Sequence, residues 1–122
     1  MQDRGAGVYR DGTTCIGLAR HGRIVAATMY DSFNGSSIFA SIAIRGPVTR
    51  HWLHRIFHYP FIQLGAQVIL GLVALDNPKS LHLVERLGFS LVAGIPQGHP
   101  SGALGIYACA RGNCRFLRRP YE

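Results

Sequence analysis

The chain has 122 residues, a length that suits one domain burying roughly two-thirds of its unfolded surface, and its 48% hydrophobic content excludes wholesale disorder. Thirteen Lys and Arg residues face six Asp and Glu for a formal net charge of +7, and every basic residue except Lys79 is Arg. That surplus suits an anionic partner, either nucleic acid or a phosphate-bearing ligand, and charge alone does not separate the two.

No apolar run approaches the roughly 20 residues that span a bilayer, so no membrane partner is expected. The start, Met1-Gln2-Asp3-Arg4, lacks the basic-then-apolar build of a secretion signal. A cytoplasmic protein, in a bacterium or in the bacterial host of a phage, is the expectation. The three cysteines, Cys15, Cys109 and Cys114, include no C-x-x-C pair. Their odd number argues for reduced thiols over a disulfide framework or a structural zinc site.

In chain order, Thr13 to Ala19 and Arg23 to Tyr30 read as strands joined at His21-Gly22, where the backbone takes the positive φ of a tight hairpin turn. The cluster from Asp31 to Ser36 is a turn. Ser37 to Arg45 alternates Ile38, Ala40, Ile42 and Ile44 with Phe39, Ser41 and Ala43, so both faces are largely apolar, as in a strand covered on both sides. Gly46-Pro47 ends it, and Thr49 is placed to cap a helix carrying Trp52, Leu53, Ile56 and Phe57 on one face. Pro60 predicts a kink or end near Tyr59, and Gly65 closes the segment.

Gln67 to Ala74 is an apolar strand, and Pro78 at a first helical turn opens a helix to Leu87. Phe89 to Ile95 is a strand, Pro96 to Gly102 a loop, and Ala103 to Ala110 a last strand. The basic tail from Arg111 to Glu122 is expected to be loosely held. The order β-β-β-α-β-α-β-β, without a repeat or a long linker, predicts a single domain over residues 1–122 with a mixed α/β sheet and helices packed on it.

The stretch Asn77-Pro78-Lys79-Ser80-Leu81-His82-Leu83-Val84-Glu85-Arg86-Leu87-Gly88-Phe89, after its apolar strand, resembles the acyl-CoA half of the GNAT N-acyltransferases. The pieces Tyr59-Pro60-Phe61 and Gln63-Leu64-Gly65 add to the likeness, which covers about Thr13 to Leu117 and is nearest the short GNAT-like proteins of bacteria and their phages. The resemblance implies a GNAT-like sheet with an abbreviated N-terminal part and transfer of an acyl group from acetyl-CoA, as cosubstrate, to a primary amine. It further implies that the strands Ser37 to Arg45 and Gln67 to Ala74 splay around the pantetheine arm. Backbone groups at Ile42, Ala43 and Ile44 would bind that arm, and one such amide would stabilise the oxyanion, worth ~3 kcal/mol. The amides that follow Thr49 would take the pyrophosphate, with Arg45 and Arg50 adding charge. Asn77, Lys79, Ser80 and Leu83 complete the cofactor contacts.

Three departures from the family pattern stand out. The phosphate loop reads Arg45-Gly46-Pro47-Val48-Thr49-Arg50, with Val48 and Arg50 where small residues are usual and Pro47 lacking an amide hydrogen. Val84 stands where family enzymes commonly place a Tyr that protonates the departing thiolate. General acid catalysis supplies roughly 10²–10⁴-fold, so Val84 predicts slow or differently assisted turnover. No carboxylate lies on the Ser37 to Arg45 strand, which leaves Ser41, orienting a water, and Asp76 as catalytic candidates. Glu85 reads as a helix-surface partner instead.

His54 and His58 have helical i, i+4 spacing with His51 a turn earlier, but no carboxylate accompanies them, so a solvated face is expected and no metal. Two further readings compete with the transferase. One is a GNAT-fold binding module that has lost catalysis. The other is a basic factor associated with nucleic acid or a phage particle; the Arg residues are scattered and not gathered on one helix, which disfavours it. The acceptor is not legible, and exposed edges make a homodimer reasonable.

Overall fold

His21 and Gly22, at φ 51° and 77°, make the first turn, and the rest of the sheet grows from the hairpin they close. The computed structural model of the chain describes residues 13–117; the Met1 to Arg4 start and the end of the basic tail lie outside that span. Within it, six strands form one sheet: β1 (Thr14–Arg20), β2 (Arg23–Asp31), β3 (Ser37–Ile44), β4 (Val68–Ala74), β5 (Ser90–His99) and β6 (Gly102–Ala110). Their spatial order is β1-β2-β3-β4-β6-β5, with β3 and β4 parallel and every other neighbour antiparallel. The helices α1 (Arg50–His58) and α2 (Pro78–Arg86) are the connections that a parallel pair and its continuation require.

Both helix starts carry a side-chain cap. Thr49 Oγ1 accepts the Trp52 amide at 3.0 Å, and Asn77 Oδ1 accepts the Ser80 amide at 3.3 Å. Helix α1 does not simply stop at Pro60. It widens into one π-helical turn, Tyr59–Gln63, because Pro60 has no amide to give, and the Leu64 amide reaches the Tyr59 carbonyl at 3.0 Å. Gly65, at φ 79°, then reverses the chain into β4.

The core lies between the helices and one face of the sheet. Trp52, Ile56 and Phe57 of α1 meet Tyr30, Ile38, Ile69, Tyr107 and Cys109, and Tyr30 donates its hydroxyl to the Ile56 carbonyl. Leu87 and Phe89, at the end of α2, join the same cluster, with the Phe57 and Phe89 ring centroids 6.2 Å apart.

Three expectations are corrected. β3 is apolar on both faces, yet among the described residues only one face is covered, since α1 and α2 pack on the same side. The stretch from Pro96 to Gly102 is mostly strand and not loop. β5 is an edge strand, so Pro96 costs no ladder bond on its open side, and the irregular pairing between Ile95 and His99 absorbs Gln97, at φ 59°. The tail is not loose through Leu117: Phe116 stacks on Phe57 with centroids 5.2 Å apart, and its carbonyl lies 3.1 Å from His54 Nδ1. A buried aromatic contact outweighs the basic character of the neighbouring residues there.

Candidate active site

β3 and β4 pair at only three positions, Ser37 with Val68, Ile38 with Ile69 and Phe39 with Leu70. Beyond Phe39 they part, while β3 stays paired to β2 as far as Ile44 and β4 stays paired to β6 as far as Ala74. The divergence opens a cleft of about 380 Å³ between Ala40, Ser41 and Ile42 on one side and Gly71, Leu72, Val73 and Ala74 on the other. Leu83, Val84 and Phe89 close it on the helix side.

Strand alternation decides which backbone groups face this gap. The Arg45 amide bonds the Val25 carbonyl at 2.7 Å, so Arg45, Ala43 and Ser41 turn their amides and carbonyls toward β2. Ala40, Ile42 and Ile44 turn theirs toward β4. The Ala40 carbonyl does point there: it would lie 3.7 Å from a Cβ built on Gly71. The cleft is therefore edged by unpaired peptide groups that an extended, amide-bearing ligand could bond as though it were a strand.

At the far end of β4, Asp76 Oδ1 accepts the Ser101 hydroxyl at 3.1 Å, and Ser101 Oγ lies 2.9 Å from His99 Nδ1. The Ser101 amide also approaches His99 Nδ1 at 3.1 Å. These contacts latch the tip of the β5–β6 hairpin onto the corner between β4 and α2. Asp76 is the one carboxylate among the described residues that line the cleft.

Of the residues singled out from sequence, Ser41, Ile42, Asp76, Asn77, Ser80 and Leu83 come together around the cleft. Ala43 is exposed, and its backbone belongs to the β2 ladder. Lys79 is exposed on α2 outside the lining. Ile44, Arg45, Thr49 and Arg50 follow the β3 side toward the start of α1, past the cleft itself. Thr49 Oγ1 is occupied by its cap, and the Arg50 and His51 amides precede the first intrahelical bond, Leu53 to Thr49. Gly46 packs tightly, since a Cβ there would meet Val25 at 3.3 Å.

Sequence reasoning missed Ala40, Leu72, His99 and Ser101. Ala40 and Leu72 carry no polar side chain to attract notice. His99 and Ser101 lie more than twenty residues from Asp76, and only the strand order β4-β6-β5 brings them to it. A second depression of about 280 Å³, between β1 and α1, is lined by Cys15, His54, Arg55, His58, Tyr59 and Gln63. Tyr59 donates to Thr14 Oγ1 across it at 3.0 Å. Among the described residues no group of His, Cys, Asp and Glu is arranged to hold a metal ion, and no helix is long and apolar enough to cross a membrane.

No protein-family model matches the chain. No curated protein matches it in sequence. Solved structures match it closely in shape. A variant of the spermidine N-acetyltransferase SpeG from Vibrio cholerae superposes with a TM-score of 0.71 at 19% identity, covering 89% of this chain and 70% of that one. Mutant forms of the spermidine/spermine N-acetyltransferase SpeG from the same organism give 0.72 at 18% identity, covering 90% and 72%. The Salmonella typhimurium protein yncA, assigned as an acetyltransferase and solved with its cofactor acetyl-CoA, gives 0.64 at 18% identity, covering 79% and 63%. The chain has the GNAT fold.

Proposed function

We propose that this protein is an N-acyltransferase that moves an acyl group from acetyl-CoA to a primary amine. The observation that carries the reading is the parting of β3 from β4 after three paired residues, which leaves the Ile42 and Ile44 peptide groups, turned away from β2, without a β4 partner along a cleft. A pantetheine arm carries two amides and is nearly extended, so it suits such an edge. The Arg50 and His51 amides at the start of α1, with Arg45 and Arg50, would receive the pyrophosphate. Asn77 has its Oδ1 committed to the helix cap, which leaves its amide nitrogen for the arm.

Acetyl-CoA supplies a thioester whose thiolate departs on attack by an amine. The chain's part is to hold the carbonyl against a backbone amide of β3, to exclude water with Leu83, Val84 and Phe89, and to accept the amine's proton. Asp76, hydrogen-bonded to Ser101 and through it to His99, is the acidic group available along the cleft, and Ser41 can orient a water there. Val84 lines the cleft and has no proton to give, so the thiolate leaves without a side-chain acid at that position.

Although SpeG is named for spermidine, the charge of this chain supports a different acceptor class. A formal charge of +7 and one carboxylate in the cleft lining disfavour a polycation and favour an amine with little other positive charge. The test is release of coenzyme A thiol from acetyl-CoA with a panel of monoamines, amino-terminal peptides and spermidine. Amine-dependent release that is faster with monoamines or peptides than with spermidine supports the proposal. Val84 favours one alternative, a binding module with the same cleft; acetyl-CoA binding without release on any amine would point to it.

A further inference from the structure

Acyl transfer to an amine needs a group that takes the amine's proton. Among the described residues that line the cleft only two side chains titrate, Asp76 and His99. They come from distant segments, Asp76 from the corner between β4 and α2 and His99 from the end of β5. Ser101, in the turn that follows β5, joins them. Its hydroxyl donates to Asp76 Oδ1 at 3.1 Å and lies 2.9 Å from His99 Nδ1, and its amide lies 3.1 Å from the same nitrogen. The hairpin tip that carries these groups is closely packed. His99 pairs with Gly102, and a Cβ on Gly98 would meet the Leu104 side chain at 2.8 Å.

Donor and acceptor rules fix how the three are wired. A backbone amide only donates, so a neutral His99 that accepts the Ser101 amide carries its proton on Nε2 and keeps the lone pair of Nδ1 toward Ser101. The Ser101 hydroxyl proton is directed at Asp76, which leaves the lone pairs of its oxygen to accept from an incoming amine. This is not the wiring of a nucleophilic triad. There the carboxylate holds the imidazole; here it holds the serine, and the imidazole waits on the serine's other side.

We propose that Ser101 relays the amine's proton to His99, with Asp76 as the positioning residue that holds Ser101 between them; the inference rests on the transferase reading and deepens it. As the amine nitrogen attacks the thioester carbonyl, the C–N bond forms, the C–S bond breaks and the thiolate leaves with its electron pair. The amine's proton passes to Ser101 Oγ while Ser101's own proton moves to His99 Nδ1. The imidazolium then donates from Nδ1 to Ser101 Oγ, with the Asp76 carboxylate on the far side of that hydroxyl carrying the balancing charge. Its proton goes on to the thiolate or to solvent. An imidazole is the group most often used for such a transfer. Asp76 is the one charged side chain that faces it from the cleft lining, since Lys79 and His82 of α2 lie outside that lining.

The test has two readouts on the full chain. Nitrogen-15 NMR of the histidine rings is expected to show neutral His99 with its proton on Nε2, a result that needs no turnover. Release of coenzyme A thiol from acetyl-CoA with a responsive amine is the second. His99→Ala is expected to lower kcat about a hundredfold while keeping the KM for acetyl-CoA and the thermal stabilisation it gives. Added imidazole is expected to restore part of that rate, which a merely structural loss would not allow. Ser101→Ala is expected to lose as much, and Ser101→Thr, which keeps the hydroxyl, to retain most of the rate. A proton on Nδ1 of neutral His99 overturns the proposal. So does a wild-type rate in His99→Ala or in Ser101→Ala, or a loss in His99→Ala that added imidazole leaves unchanged. Failure of the transferase reading itself looks different: the wild-type chain releases no thiol with any amine, and the relay falls with it.

Discussion

Tyr30 ties the sheet to α1 through one buried hydroxyl, donated to the Ile56 carbonyl. Burial pushes its ionisation well above the ordinary 10.0, and burial, with Glu85 alongside, also pushes Tyr107 up. The folded chain therefore keeps phenolic protons that the unfolded chain releases above about pH 10. Stability from these groups is complete below that pH and declines above it. Thermal unfolding followed from about pH 8 to pH 11 is expected to show that decline, and Tyr30→Phe to flatten it while losing about 1 kcal/mol at neutral pH. Cys109 behaves in a related way. The Cys114 thiol beside it, together with burial, holds its ionisation up, so Cys109 is expected to be the last of the three thiols to react with an alkylating agent, and only in denaturant. Early modification of Cys109 in the native chain, read by mass spectrometry, would contradict its placement in the core.

At the scale of elements, α1 shows why some parts of this fold were legible in the sequence. Its start is fixed by Thr49, whose hydroxyl holds the Trp52 amide, and its buried stripe is Trp52, Ile56 and Phe57; both signals are local. Thr49→Ala is expected to cost about 1 kcal/mol in thermal unfolding, with Thr49→Asp recovering most of it. The His21–Gly22 hairpin and the Asn77–Pro78 helix start are legible for the same reason. β5 is not, because Pro96 and Gly98 read as breakers, and only its place at the edge of the sheet makes them tolerable. Nor is the docking of Phe116 on Phe57, a contact between residues far apart in the chain. The single covered face of β3 was hidden by its own composition: apolar residues on both sides imply two covers, and the sequence does not say that one of them is absent from the described chain. In the cleft, Asp76 and Ser41 were visible as polar residues near apolar strands. The peptide groups of Ala40 and the Ser101–His99 contact depend on strand divergence and strand order, which no spacing encodes.

At the scale of the whole molecule, a sheet paired along both outer parts and parted in the middle sets a cleft between β3 and β4, with the helix dipole and Arg residues beyond the β3 arm of its open end and Asp76 beyond the β4 arm. The +7 charge draws anions to the surface in general, so the account stands or falls on whether the cleft selects a particular one. The most direct measurement is thermal unfolding with acetyl-CoA, set against the same concentration of inorganic pyrophosphate. At a hundred times its dissociation constant a ligand stabilises by ~2.7 kcal/mol, which for a domain of this size raises the midpoint by several degrees. The account predicts that rise with acetyl-CoA and a much smaller one with pyrophosphate. No rise at millimolar acetyl-CoA, or an equal rise with pyrophosphate alone, would contradict it.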